Sequence, residues 1–114
     1  MLTIFLILKL LSSIGTPSEN EIKDMMVEST KMTMESIRLA ADIYYVTYFH
    51  YAEIIEDLIE FLEPAAIPLD AWGNPIIFRR TNSDDVKYFI FSYGADGKPG
   101  GIGYDADIIY SRDD

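Results

Sequence analysis

The stretch that most constrains the fold follows the Thr16-Pro17-Ser18-Glu19 segment and carries its pattern through to Tyr48. Met26, Thr30, Thr33, Ile37, Ala40, Ala41, Tyr44 and Tyr48 recur at steps of three and four, while Glu21, Lys23, Glu28, Lys31, Glu35 and Arg38 fall elsewhere. That spacing places one semi-apolar stripe along an α-helix of about eight turns. A helix of that kind needs a surface to bury its stripe against, so the rest of the chain must supply one. Ahead of it, Thr16-Pro17-Ser18-Glu19 offers a start signal, with Thr16 as cap, Pro17 in the first turn and Glu19 closing a capping box. Pro17 is equally compatible with a kink in a helix that continues from upstream.

The covering surface is expected in the second half. Pro64 and Pro68 end the helical half, because proline cannot continue a helix and favours extended geometry in the residue before it. Asp70-Ala71-Trp72-Gly73-Asn74-Pro75 is a turn by composition. Ile76–Arg80 and Tyr88–Ser92 read as antiparallel strands joined by the polar connection Thr81–Asp85, and a third short extended piece follows at Asp107–Tyr110. Strands so few are marginal alone, and the long helix stripe is their natural partner. Trp72 is expected to plug the junction between helix and sheet. Between the halves, Glu53–Leu62 (EIIEDLIEFL) reads as a second, shorter amphipathic helix with a solvated acidic face. The fold class that follows is α+β, a long amino-terminal helix on a small antiparallel sheet.

Chemistry concentrates in one loop. From Phe91 to Ile108, glycines at 94, 97, 100, 101 and 103 separate Asp96, Asp105 and Asp107. Glycine permits sharp turns and positive φ, and carboxylates and carbonyls are the oxygen ligands that calcium takes. Three aspartates brought together without a cation would repel one another. A solvated Gly/Asp loop is the other reading that the residue types allow. An EF-hand is excluded, because Lys98 stands where a second acidic ligand belongs and no glutamate closes the loop.

Composition removes several functions. Nineteen acids against nine bases give a formal charge of −10, which repels nucleic-acid phosphates and anionic headgroups. The chain contains no cysteine, so thiol catalysis, disulfides and cysteine-ligated zinc are absent. His50, the sole histidine, sits among Tyr44, Tyr45, Tyr48, Phe49 and Tyr51 with no triad or imidazole partner, and reads as structural. The acids of 53–62 lack the pocket and partner group that acid–base catalysis needs. At the amino terminus, Leu2–Ile14 (LTIFLILKLLSSI) is apolar but too short to span a bilayer, which takes about 20 residues. A basic n-region is missing, and Ser12-Ser13-Ile14-Gly15 is a poor cleavage site.

The block Asp70-Ala71-Trp72-Gly73-Asn74-Pro75, the strand pair, and then Phe91-Ser92-Tyr93-Gly94-Ala95-Asp96-Gly97 with Gly100-Gly101 through Asp105-Ala106-Asp107-Ile108 resembles the major pseudopilin of the type II secretion system. The family pattern is close to D-P-W-G-N-P … F-S-x-G-A-D-G-x-x-G-G-x-G-x-D-A-D-I. Pro17 and the Ala41–Tyr45 stretch, ADIYY, fall at separations similar to the family's long helix. The resemblance implies a pilin-like fold in which Pro17 kinks a continuing helix. It further implies a truncated membrane-helix segment over 1–15 and a periplasmic domain over 16–114, held at the inner membrane. It implies a structural subunit and no enzyme: self-assembly into a filament with other pseudopilins and the inner-membrane secretion platform, driving export through the outer membrane. It also implies a Ca2+ site made by the side chains of Asp96, Asp105 and Asp107 with a main-chain carbonyl near Tyr93. A calcium-stabilised pilin-like subunit or binding module of another filament system is the alternative. Three departures stand out. Ala71 replaces the family's proline, and Tyr51–Ile67 is shorter and more apolar than the usual variable loop. The family's processing site, a glycine followed by F-T-L-I-E, does not precede Met1-Leu2-Thr3-Ile4, for which truncation or a start codon placed too late is the expectation.

Overall fold

A computed structural model describes residues 15–113, with the Asp113 side chain excepted; the apolar segment 1–14, expected to be membrane-embedded, lies outside the described residues. Helix α1 spans Glu19–Tyr48, 30 residues. Its cap is Ser18, whose hydroxyl accepts a hydrogen bond from the Glu21 amide at 3.1 Å. The start is therefore two residues later than a Thr16 cap would place it. Serine caps better than threonine, and Ser18 also has a glutamate three residues on. Residues 15–18 are not helical and Gly15 has φ +91°, so Pro17 precedes α1 and does not kink a helix running through it. The other end closes on Phe49, in the left-handed region at φ 65°, whose amide donates to the Tyr45 carbonyl at 2.7 Å. That single bond back to the last turn is a common way to stop a helix.

The buried stripe of α1 is Thr30, Met34, Ile37, Ala40 and Ala41. Met34 joins the core that the spacing assigned to Thr33, and Tyr48 stays 43% exposed. Over 53–62 the expected α-helix is instead a 3₁₀ helix, Ile55–Phe61. Three residues per turn align Ile55, Leu58 and Phe61, and Ile55 and Leu58 are buried. The Asp57 carboxylate accepts from the Glu53 amide at 3.2 Å and the flanking Ile54 and Leu62 are extended, so the segment has no room for a second α turn.

Three antiparallel strands follow: β1 (Ile77–Arg80), β2 (Val86–Ser92) and β3 (Ile108–Asp113), in the order β1-β2-β3. Phe78 pairs with Ile90, and Ile90 with Tyr110. Alternation along β2 turns Tyr88, Ile90 and Ser92 inward. Tyr88 and Ile90 meet Ile37, Ala40 and Ala41 in the core, joined by Leu58, Leu62, Ile76 and Phe78. Helix on sheet is thus the observed architecture. Trp72 is only half-buried and lies outside this cluster, so it is not the plug at the junction. A polar trio, Thr30, Asp70 and Ser92, is buried in the domain instead.

Candidate functional site

The site begins with Asp70, 5% exposed at the start of the Trp-Gly-Asn-Pro turn. One of its carboxylate oxygens accepts from the Trp72 amide at 3.0 Å and the Asn74 amide at 2.9 Å, which closes the turn. The other accepts from the Ser92 hydroxyl at 2.8 Å, and Ser92 Oγ accepts in turn from the Gly94 amide at 3.1 Å. From α1, the Thr30 hydroxyl accepts from the Ala71 amide at 3.0 Å while donating to the Met26 carbonyl at 2.9 Å. One buried carboxylate and two hydroxyls therefore tie the turn to the long helix, the end of β2 and the first residue of the glycine loop. Each polar group has a partner, the condition under which such groups are buried without large loss.

The loop rises from this hub. Gly94 has φ +80°, and a Cβ there would lie 2.5 Å from the Ala106 carbonyl oxygen. At Gly101, φ +88°, a Cβ would lie 2.5 Å from the Asp105 carbonyl oxygen. Both positions need glycine on conformation and on space. The Ala95 amide donates to the Tyr104 carbonyl at 2.8 Å, drawing the two limbs together. Tyr104 also anchors the loop to α1: its hydroxyl donates to the Asp24 carboxylate at 2.8 Å, and the Lys23 ammonium lies 5.4 Å from its ring centre. The bond to Asp24 raises the Tyr104 phenol above the ordinary tyrosine range.

The residues expected to bind metal stand as follows. Asp96 is exposed and accepts from the Lys98 amide at 3.0 Å. Asp107 is half-buried, and both of its oxygens accept from the Gly100 amide at 3.1 Å. The Asp105 side chain is exposed, while its carbonyl packs against Gly94 and Gly101. Tyr93 is half-buried and packs its ring against Phe91, 5.4 Å between centres. Among the described residues, no three acidic or imidazole side chains converge as a metal shell. The oxygen-only donor set is nonetheless of the kind a hard cation takes.

Sequence reasoning missed the hub. Asp70 entered as a turn residue and Thr30 as a packing position in the helix stripe. A usable signal was present: an aspartate two and four residues before turn amides, with hydroxyl residues at Thr30 and Ser92 in stretches otherwise apolar on that face.

Comparison with known proteins places this arrangement. The chain is 42% identical over 53 residues to a protein named "Type II secretion system core protein G" from Xanthomonas campestris pv. campestris, a match covering 44% of this chain and 36% of that relative. The chain thus aligns with little more than a third of the relative's length. The family described as "Type II secretion system (T2SS), protein G" matches residues 19–111, a span that takes in α1, the 3₁₀ segment, the turn, the sheet and the glycine loop. On that match, the chain belongs to the type II secretion system protein G family.

Proposed function

We propose that this protein is a structural subunit of a type II secretion pseudopilus, assembling with other copies and other pseudopilins into a filament that drives protein export through the outer membrane. The observation that carries the reading is the extent of the family match, which runs through helix, sheet and loop without a break from 19 to 111. The site itself suits a structural role. Its carboxylate and hydroxyls hold the Ala71, Trp72, Asn74 and Gly94 amides, and the Ser92 hydroxyl is buried against Asp70 as part of that scaffold.

In this reading the subunit sits at the inner membrane with its domain in the periplasm. Among the described residues no helix is long and apolar enough to cross a membrane. The support for anchoring is the apolar run Leu2–Ile14 and the family itself. The glycine loop is proposed to hold Ca2+ through Asp96, Asp105, Asp107 and the Tyr93 carbonyl, where a bound cation supplies charge that offsets the aspartates.

The deciding experiment deletes the coding region in the source bacterium and follows exported proteins. Loss of those proteins from the medium, with their retention in the periplasm and recovery on complementation, is the expected result. Normal export in the deletion strain overturns the reading.

A further inference from the structure

The carboxy end of α1 and the end of the β1–β2 pair enclose an open concavity of about 530 Å³. Arg80, Thr81, Asn82 and Lys87 line it from the sheet, and Tyr45, His50 and Tyr51 from the helix end. The left-handed turn at Phe49 carries the chain off α1 here and leaves His50 exposed. On a chain with nineteen acids and nine bases, none of these lining residues is acidic, while two are cations and a third is the sole imidazole. A cleft lined by one sign of charge focuses its field, and screening over about 8 Å at physiological ionic strength mutes the more distant acids.

The carboxylate that does reach in is Glu53, which accepts from the Arg80 guanidinium at 2.6 Å. Arg80 also donates to the Tyr51 carbonyl at 3.3 Å, a bond that fixes its fork. The Lys87 ammonium donates to the main-chain carbonyl of Asp84 at 3.2 Å and has no carboxylate partner among the described residues. A guanidinium has five N–H donors and an ammonium three, so both keep donors to spare. Donors without matching acceptors decide what fits. A saccharide would want carboxylate acceptors for its hydroxyls and a free ring face, but the lining has no carboxylate, and Tyr45 and Tyr51 stack on each other at 4.5 Å. A single inorganic anion would leave most of the volume to water. Neighbouring carboxylates on an extended chain can meet the Arg80 fork and the Lys87 ammonium together, with the exposed Asn82 amide left for the main chain.

We propose that this concavity binds an acidic peptide segment of a partner protein, its carboxylates taken by Arg80 and Lys87. Glu53 is then an internal competitor that occupies Arg80 until the segment displaces it. The Glu53 side chain is 68% exposed, and ion pairs so exposed are weak enough to exchange. The site is a property of the domain surface and does not rest on filament assembly.

Full-length protein in nonionic detergent micelles, at about 0.15 M ionic strength, would be titrated into fluorescein-labelled hexaglutamate and hexaglutamine and followed by anisotropy, with trigalacturonate as an unlabelled competitor. Hexaglutamate should bind in preference to hexaglutamine, and Lys87→Gln and Arg80→Gln should each weaken it by about fivefold. Glu53→Gln, which releases Arg80, should tighten it by about threefold. Lys98→Gln, exposed in the glycine loop, should leave it as it was. Because Arg80 also holds the Tyr51 carbonyl, Lys87→Gln with unchanged melting decides the matter where Arg80→Gln fails to fold. Equal binding of the two peptides, indifference to Lys87→Gln, or weaker binding in Glu53→Gln overturns the proposal. Trigalacturonate that binds more tightly than hexaglutamate overturns it in favour of an acidic saccharide. Self-association abolished by both Lys87→Gln and hexaglutamate overturns it in favour of a second copy of the chain.

Discussion

Asp70 is the residue on which most local geometry converges. Truncating it leaves the Ser92 hydroxyl, 1% exposed, and the Trp72 and Asn74 amides without their acceptor. Orphaned buried donors cost about 1–3 kcal/mol each, partly relieved where water enters. Asp70→Ala is therefore expected to lower unfolding stability by about 3 kcal/mol, read as a lower urea midpoint at unchanged slope. Asp70→Asn, which keeps the oxygen that serves the turn, should lose about 1 kcal/mol. Tyr88 makes the opposite case. It is fully buried, its hydroxyl has no hydrogen-bond partner among the described residues, and burial followed by the nearby Asp42 charge pushes its phenol far up. Tyr88→Phe removes an orphan and keeps the ring contacts with Phe78 and Tyr51. Melting that is unchanged or higher, by about 1 kcal/mol, is the expected outcome, and a clear loss of stability would show that the hydroxyl is bonded. Neither environment can be read from sequence. An aspartate beside a Gly-Asn-Pro turn announces the turn, but which distant hydroxyl it reaches depends on how β2 lies over α1.

At the scale of elements, periodicity identified the long helix and the strand pair because each has a repeat long enough to be unambiguous. It gave the wrong helix type over 53–62, where Ile54, Ile55, Leu58, Ile59 and Leu62 fit an α face on paper. The structure leaves Ile54 51% exposed and uses the three-residue spacing of Ile55 and Leu58. Short segments lack the hydrogen bonds that enforce α geometry, so the Asp57 cap and the extended ends decide. The contact between loop and helix was likewise hidden, since Tyr104 and Asp24 are 80 residues apart. Their bond has a pH signature. The folded phenol is raised above the unfolded value, so the bond's contribution is intact below the ordinary tyrosine pKa of about 10 and is lost as pH rises through the higher folded value. Ultraviolet titration should show Tyr104 among the tyrosines that ionise later than a free phenol, with Tyr48 and Tyr88, and one late-ionising tyrosine fewer in Asp24→Asn. In Tyr104→Phe, amide exchange at Ala95 should quicken at neutral pH while exchange in β2 holds. Unchanged exchange across the loop would mean that the limbs are held without the anchor.

For the whole molecule the dominant quantity is charge. With a formal −10 on 114 residues, any added cation relieves self-repulsion, so stabilisation by calcium is not in itself evidence of a site. Screening depends on ionic strength, whereas site binding depends on the identity of the ion and on particular carboxylates. If the glycine loop binds with a dissociation constant of about 10⁻⁴ to 10⁻³ M, 10 mM calcium adds about 1.4 to 2.7 kcal/mol by mass action. At about 4–8 °C per kcal/mol for a domain near this size, the melting temperature should rise by about 6 °C or more over a sodium chloride control of matched ionic strength. Magnesium, which holds its water and demands octahedral geometry, should fall well short of that. Asp96→Ala and Asp105→Ala should each remove the calcium-specific increment while keeping the salt-dependent part, because both side chains are exposed and neither holds the core. Asp107→Ala should remove it too, with an added loss from the Gly100 amide that its carboxylate accepts from. Equal stabilisation by calcium, magnesium and matched sodium chloride would assign the whole effect to the acidic surface. The loop would then owe its shape to its own contacts, the Asp70 hub, the Tyr104 anchor and the Asp107–Gly100 bonds among them.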